Sequence, residues 1–181
     1  MGAQIQIGEE NIAIYFYSKG YAIISPQNFS FEEQLNMLLN CENFASTLGS
    51  ISHNTIFMNE GREVILIPRY PACNVCQLVL DTLQNLDIYY IDSSISIFYQ
   101  NWQGPHCYIV SEQLKKFFGD DFEGYSATDF IAFLGHMRLA MLLKFDKGQN
   151  VDEYYSNVYE NFLNQIKSHK DLIEKFYLSI S

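Results

Sequence analysis

Thr-Ile-Phe-Met-Asn-Glu-Gly-Arg-Glu-Val-Ile-Leu-Ile, residues 55–67, carries the reading on which the fold turns. Two apolar, β-rich runs, 55–58 and 63–67, flank Asn59-Glu60-Gly61-Arg62, where Gly61 can take the positive φ that a tight turn demands. The segment therefore predicts a β-hairpin. Pro68 and Pro71 close its second strand, since proline cannot donate to a sheet ladder. Just downstream, Val79, Leu80, Leu83 and Leu86 recur at helical spacing, so residues 75–86 read as a helix laid on the sheet.

Toward the N-terminus, Ile5, Ile7, Ile12, Ile14 and Phe16 follow a period of two, with Tyr15 and Tyr17 on the other face. This alternation predicts strands, and Ser18-Lys19-Gly20 ahead of the apolar run 21–25 predicts another hairpin. Ser30 followed by Glu33 is a capping-box signature before Leu35, Leu38 and Leu39, so a helix is expected over 31–41. Residues 45–55 are small and polar without a period and read as a loop.

Toward the C-terminus, strands are expected over 88–91, 95–99 and 107–110, then a short helix over 111–119 ending at Gly119. Ser126 and Asp129 cap a long run to Phe145, and further helices start at Asn150 and Ser168. The expected fold class is α+β, with an antiparallel or mixed sheet from residues 1–110 packed against the C-terminal helices. A single domain over 1–181 is expected, strand-rich in 1–110 and helical in 111–181, with the acidic segment 119–125 as a mobile loop.

The chain has 181 residues, 14 Phe and 13 Tyr among them, enough apolar material to exclude a disordered polymer. No apolar run reaches a membrane span; the longest, 130–145, is broken by Gly135, His136, Arg138 and Lys144. The opening residues lack the basic start of a secretory signal, and Cys41, Cys73, Cys76 and Cys107 are too few for a disulfide scaffold. A cytoplasmic protein with reduced thiols is expected.

Twenty-one acidic against 11 basic residues give a formal charge of −10, a field that repels phosphate backbones and attracts basic surfaces. Direct nucleic-acid binding and membrane association are not expected.

Catalytic signatures are scarce. The four histidines (His53, His106, His136, His169) have no Ser, Cys or carboxylate at triad spacing, and no phosphate-binding glycine loop, HExxH or GxSxG occurs. Cys73-Asn-Val-Cys76 lies between a strand and a helix, where a helix N-terminus lowers a thiol pKa. It resembles the redox site of thioredoxin-like proteins, and Pro105 ahead of a strand matches the proline that precedes a later strand in that family. The resemblance covers residues 63–118 and implies Cys73 as nucleophile and Cys76 as resolving thiol. Two other readings stay open: small apolar side chains buried at a helix start, or a metal pair completed by His106 and Cys107. Adjacent residues on a strand face opposite ways, which counts against the four-ligand site. No cofactor is expected.

Aromatic and acidic residues interleave at Asp87, Tyr89, Asp92, Tyr99 and Trp102, and again at Asp152, Glu153, Tyr155 and Glu160; Asp120, Asp121 and Glu123 add charge between them. Tyrosine and tryptophan supply rigid contact area and carboxylates supply complementarity to a basic protein. The expected function is that of an inhibitor of a basic partner, comparable in general character to immunity proteins against nuclease toxins or phage inhibitors of defence nucleases. A homo-oligomer joined through the aromatics is the other arrangement these residues allow.

Overall fold

The computed structural model describes residues 6–69, 74–95 and 106–146. They form an α+β fold in two compact units, each with its own three-stranded sheet. One unit takes residues 6–20, 69, 93–95 and 106–146; the other takes 21–68 and 74–92.

The first unit starts with β1 (Gln6–Ile7) and helix α1 (Glu9–Ser18). The expected N-terminal hairpin is therefore replaced by a helix. Ile12 and Phe16 are four residues apart, so the spacing that suggested a strand serves equally to bury one helix face. Gly8, at φ 78, turns the chain out of β1, and Glu9 and Glu10 sit in the first turn, where the helix dipole favours carboxylates. Lys19 and Gly20 close the helix by donating backbone hydrogen bonds to the Phe16 and Tyr17 carbonyls. Residues 21–25 join no strand.

Later in the chain come β5 (Ser94–Ile95), β6 (His106–Tyr108), α4 (Glu112–Phe117) and α5 (Ala127–Asp146). The sheet order is β1-β6-β5, with β1 parallel and β5 antiparallel to β6, so this sheet is mixed. Ile7, Ile95, Cys107 and Ile109 pack with Phe122, Tyr125, Phe130, Ala132 and Phe133, which brings the start of α5 onto the sheet. The Ser126 cap forms as its spacing predicts: its hydroxyl accepts from the Asp129 amide, and the Asp129 carboxylate accepts from Ser126 in return. The helices expected from Asn150 and Ser168, and residues 96–99 of a predicted strand, lie outside the described residues.

The second unit contains α2 (Phe31–Asn40), β2 (Asn43–Thr47), β3 (Glu63–Ile67), α3 (Val75–Leu83) and β4 (Asp87–Tyr90). Its sheet runs β2-β3-β4 and is parallel throughout. Helix α2 has the predicted capping box between Ser30 and Glu33. The hairpin predicted over 55–67 does not form, because Ser52–Phe57 is a 3-10 segment and β3 pairs with β2 and β4. Val64, Ile65, Leu66 and Ile67 are all buried, as a central parallel strand covered on both faces requires. Their unbroken apolar run marks that environment, whereas a half-exposed hairpin strand would alternate. Residues 45–47 of β2 fall in the stretch that reads as a loop, since the ladder with β3 outweighs the weak propensity of Ala45 and Ser46.

Candidate protein-binding face

Helix α3 buries a glutamine and leaves most of its apolar residues outside. Asn74 caps it, its side-chain oxygen accepting from the Cys76 and Gln77 amides at 3.0 and 3.4 Å. Gln77 is fully buried and satisfied at both ends of its amide. The Ser52 hydroxyl donates to its carbonyl at 2.7 Å, and its amino group donates to Asp81 at 2.8 Å. The other Asp81 oxygen accepts from the Tyr90 hydroxyl, so one polar chain ties the 3-10 segment, α3 and β4 together. Such a chain lets a helix bury polar groups in place of most of its apolar residues, because the inward amide and carboxylate have partners.

The consequence lies on the opposite face. Val75 is 70% exposed, Leu78 41%, Val79 54% and Leu83 63%. Of the residues expected to pack on the sheet, Val79 and Leu83 face water, Leu80 is half-buried, and Leu86 reaches the cluster of Leu38, Leu48, Met58, Val64 and Leu66 from beyond the helix end.

Parallel pairing brings carboxylates together as well. Glu63 and Asp87 are register partners at the start of β3 and β4, and the Glu63 amide donates to the Glu42 carbonyl just before β2. Glu60 precedes Gly61, whose amide donates to Asn85 beyond the end of α3. Glu42, Glu60, Glu63 and Asp87 thus all lie at the end of the sheet where its strands start and α3 ends. Of this set only Asp87 stands out in the sequence, because the parallel direction that places all three strand starts at one end of the sheet leaves no local signal. Tyr21 donates to Glu63 at 3.4 Å, and burial, reinforced by that carboxylate, pushes its phenol up to about 12.

Of the residues expected to contact a partner, Asp87, Tyr89 and Asp92 are exposed on or beside β4. Asp121 and Glu123 are exposed in the first unit. Asp120 is engaged internally, accepting from Lys19 and from the Tyr15 hydroxyl at 2.8 Å. This anchors the segment expected to be mobile, and Phe122 packs edge-on against Tyr125 further along it. Tyr99, Trp102, Asp152, Glu153, Tyr155 and Glu160 lie outside the described residues.

The hydrogen bond from Lys19, followed by that from Tyr15, holds the Asp120 carboxyl below its ordinary value. A depressed carboxyl stabilises the fold above its unfolded pKa, and that contribution disappears as pH falls through the folded value. Carbon-detected NMR should place the Asp120 midpoint below that of free aspartate, with Lys19→Met moving it upward; an unmoved midpoint would refute the pairing.

Cys73 and Pro105 lie outside the described residues, whereas Cys76 is exposed in the first turn of α3. The expectation that both cysteines of the pair are buried apolar side chains therefore fails for Cys76. Strand β3, before Cys73, pairs with β2 and β4, while β6, after Pro105, belongs to the other sheet. Among the described residues, no group of three or more His, Cys, Asp or Glu is arranged to hold a metal ion. Cys107 is fully buried, and desolvation, with Asp129 adding to it, pushes its thiol up to about 12. In the native protein Cys76 should alkylate readily and Cys107 only after denaturant is added, read by mass spectrometry of labelled peptides. Native labelling of Cys107 would contradict this burial.

No helix among the described residues is long and apolar enough to cross a membrane. No family model, curated protein or solved structure matches the chain.

Proposed function

We propose that this chain is a binding protein that neutralises a basic protein partner, in the manner of immunity proteins against nuclease toxins or phage inhibitors of defence nucleases. The observation that carries this reading is the set of carboxylates Glu42, Glu60, Glu63 and Asp87 at the end of the sheet where its parallel strands start, with exposed Tyr89 two residues further along β4. With a formal charge of −10 behind it, that end steers cationic surfaces toward aromatic contact area. The reading assigns no catalytic step and no cofactor, nucleic-acid or membrane contact. It places the protein in the cytoplasm, where its thiols stay reduced.

The test is affinity capture at moderate salt followed by association kinetics. A basic protein should be retained, and its on-rate should fall roughly tenfold or more as ionic strength rises from low to physiological. Asp87→Lys with Glu42→Lys should reduce the on-rate further. Capture of no basic protein, or a salt-independent on-rate, would overturn the proposal.

Exposed Cys76 at a capped helix start supports a second reading, a thiol-disulfide oxidoreductase that uses Cys73 and Cys76, with Pro105 as the proline of the thioredoxin-like resemblance. A thiol pKa near or below about 7 for Cys73 would favour it. Full retention of function in Cys73→Ser would end it.

A further inference from the structure

Building on the proposed function, we infer that the outer face of α3 is the seat of an amphipathic helix supplied by the basic partner. The apolar side of that helix meets Val75, Leu78, Val79 and Leu83, and its lysines or arginines meet the carboxylates at the C-terminal end of α3.

Three observations lead there. The first is the inversion itself: a helix packed only on its own sheet turns its apolar side inward, but the inward side of α3 carries Gln77 and Asp81, each hydrogen-bonded, with half-buried Leu80 between them. Its four branched apolar side chains are left in water, at spacings of three, four and eight from Val75. These are the positions by which one helix receives another. The second is size: from Val75 to Leu83 the stripe runs about 12 Å, two helical turns, which matches the anchor spacing of a helical ligand rather than an extended one.

The third is charge, which also sets orientation and favours a basic helix over a second copy. The last turn of α3 contains no basic residue, so the negative end of its dipole is uncompensated. It meets the end of the sheet carrying Glu42, Glu60, Glu63 and Asp87, where Arg62 is the basic residue among the flanking strands. A ligand helix is held with its basic end over Leu83 and its apolar end toward Val75. Another copy of this chain brings no basic residue from its own α3 to these carboxylates in either orientation, whereas a basic helix brings the complement.

The test uses the full chain and two synthetic helical peptides with the same leucine stripe, one with lysines clustered at one end and one with glutamates there. Fluorescence anisotropy should show the lysine peptide binding and the glutamate peptide failing to bind. Val79→Asp and Leu83→Asp, both at exposed positions, should each weaken binding at least tenfold with melting unchanged. Asp87→Asn with Glu42→Gln should weaken it less and flatten its salt dependence.

Equal binding by wild type and both apolar variants would overturn the inference. A dimer that dissolves on Leu83→Asp, seen by sedimentation, would also overturn it. If affinity capture still retains a basic protein with unchanged affinity for these variants, the seat is wrong and the function reading stands. If nothing basic is captured and neither peptide binds, both fall.

Discussion

Gly8→Ala is expected to destabilise the first unit by about 3 kcal/mol or more, enough to displace β1 from β6. Two costs add at this position. Its φ of 78 is left-handed, worth roughly 1–2 kcal/mol for a residue with a side chain. A Cβ there would also lie 2.2 Å from the Tyr108 carbonyl oxygen, a backbone atom in the fully buried residue that ends β6, and 3.3 Å from Ala132 on α5. Neither neighbour can swing aside as the tip of a long side chain could. Gly61 provides the control: its φ of 70 is similar, but a Cβ there meets nothing within 4 Å. Urea unfolding should show Gly61→Ala costing only about 1 kcal/mol. Equal losses at the two glycines would mean that the approach of Tyr108 contributes nothing.

The second large effect is expected at Leu66. It is fully buried at the centre of the parallel sheet, in one cluster with Leu38, Leu48, Met58 and Val64. Leu66→Ala should cost about 3 kcal/mol, within the 2–5 typical of cavity-forming substitutions, with the urea midpoint shifting and the slope preserved. Val79→Ala, an apolar truncation with the same sequence-level claim to a core position, should cost less than about 0.5 kcal/mol because Val79 already faces water. A comparable loss at both would contradict the inverted placement of α3.

That pair of variants also shows what the sequence does and does not disclose. Local devices are legible: Ser30 with Glu33 and Ser126 with Asp129 form their capping boxes as the spacing requires, because every participant lies within four residues. The strand at 63–67 and the helix after Asn74 are legible for the same reason. The partners of that strand are not, since a hairpin and a parallel crossover both accept Val-Ile-Leu-Ile, and only the chain before residue 48 and after residue 86 decides between them. Ile12 and Phe16 satisfy strand and helix periods over so short a window, and the helix wins once Gly8 turns the chain.

The same division holds for the candidate site. Asp87, Tyr89 and Asp92 are exposed as their composition suggests. Asp120 is tied to Lys19 from 101 residues away, a pairing no linear reading offers. The outward face of α3 follows from Ser52 reaching Gln77 across 25 residues. Hydrophobic periodicity locates a helix but does not say which side a distant hydroxyl will claim.

The pairing of β1 with β6 bears on how the chain acquires its fold. Gln6 and His106 are register partners although 100 positions apart, whereas Asn43 and Glu63 in the other sheet are separated by 20. Closing the longer loop costs roughly 1.4 kcal/mol more in chain entropy before any contact rewards it. On the ribosome β1 emerges first but has no partner until the strand a hundred residues later has been made. The parallel sheet of the second unit has all its strands by residue 90, so it can form while β1 still waits. Refolding should therefore show two phases, with the apolar cluster around Leu66 gaining amide protection ahead of Ile7 and Cys107.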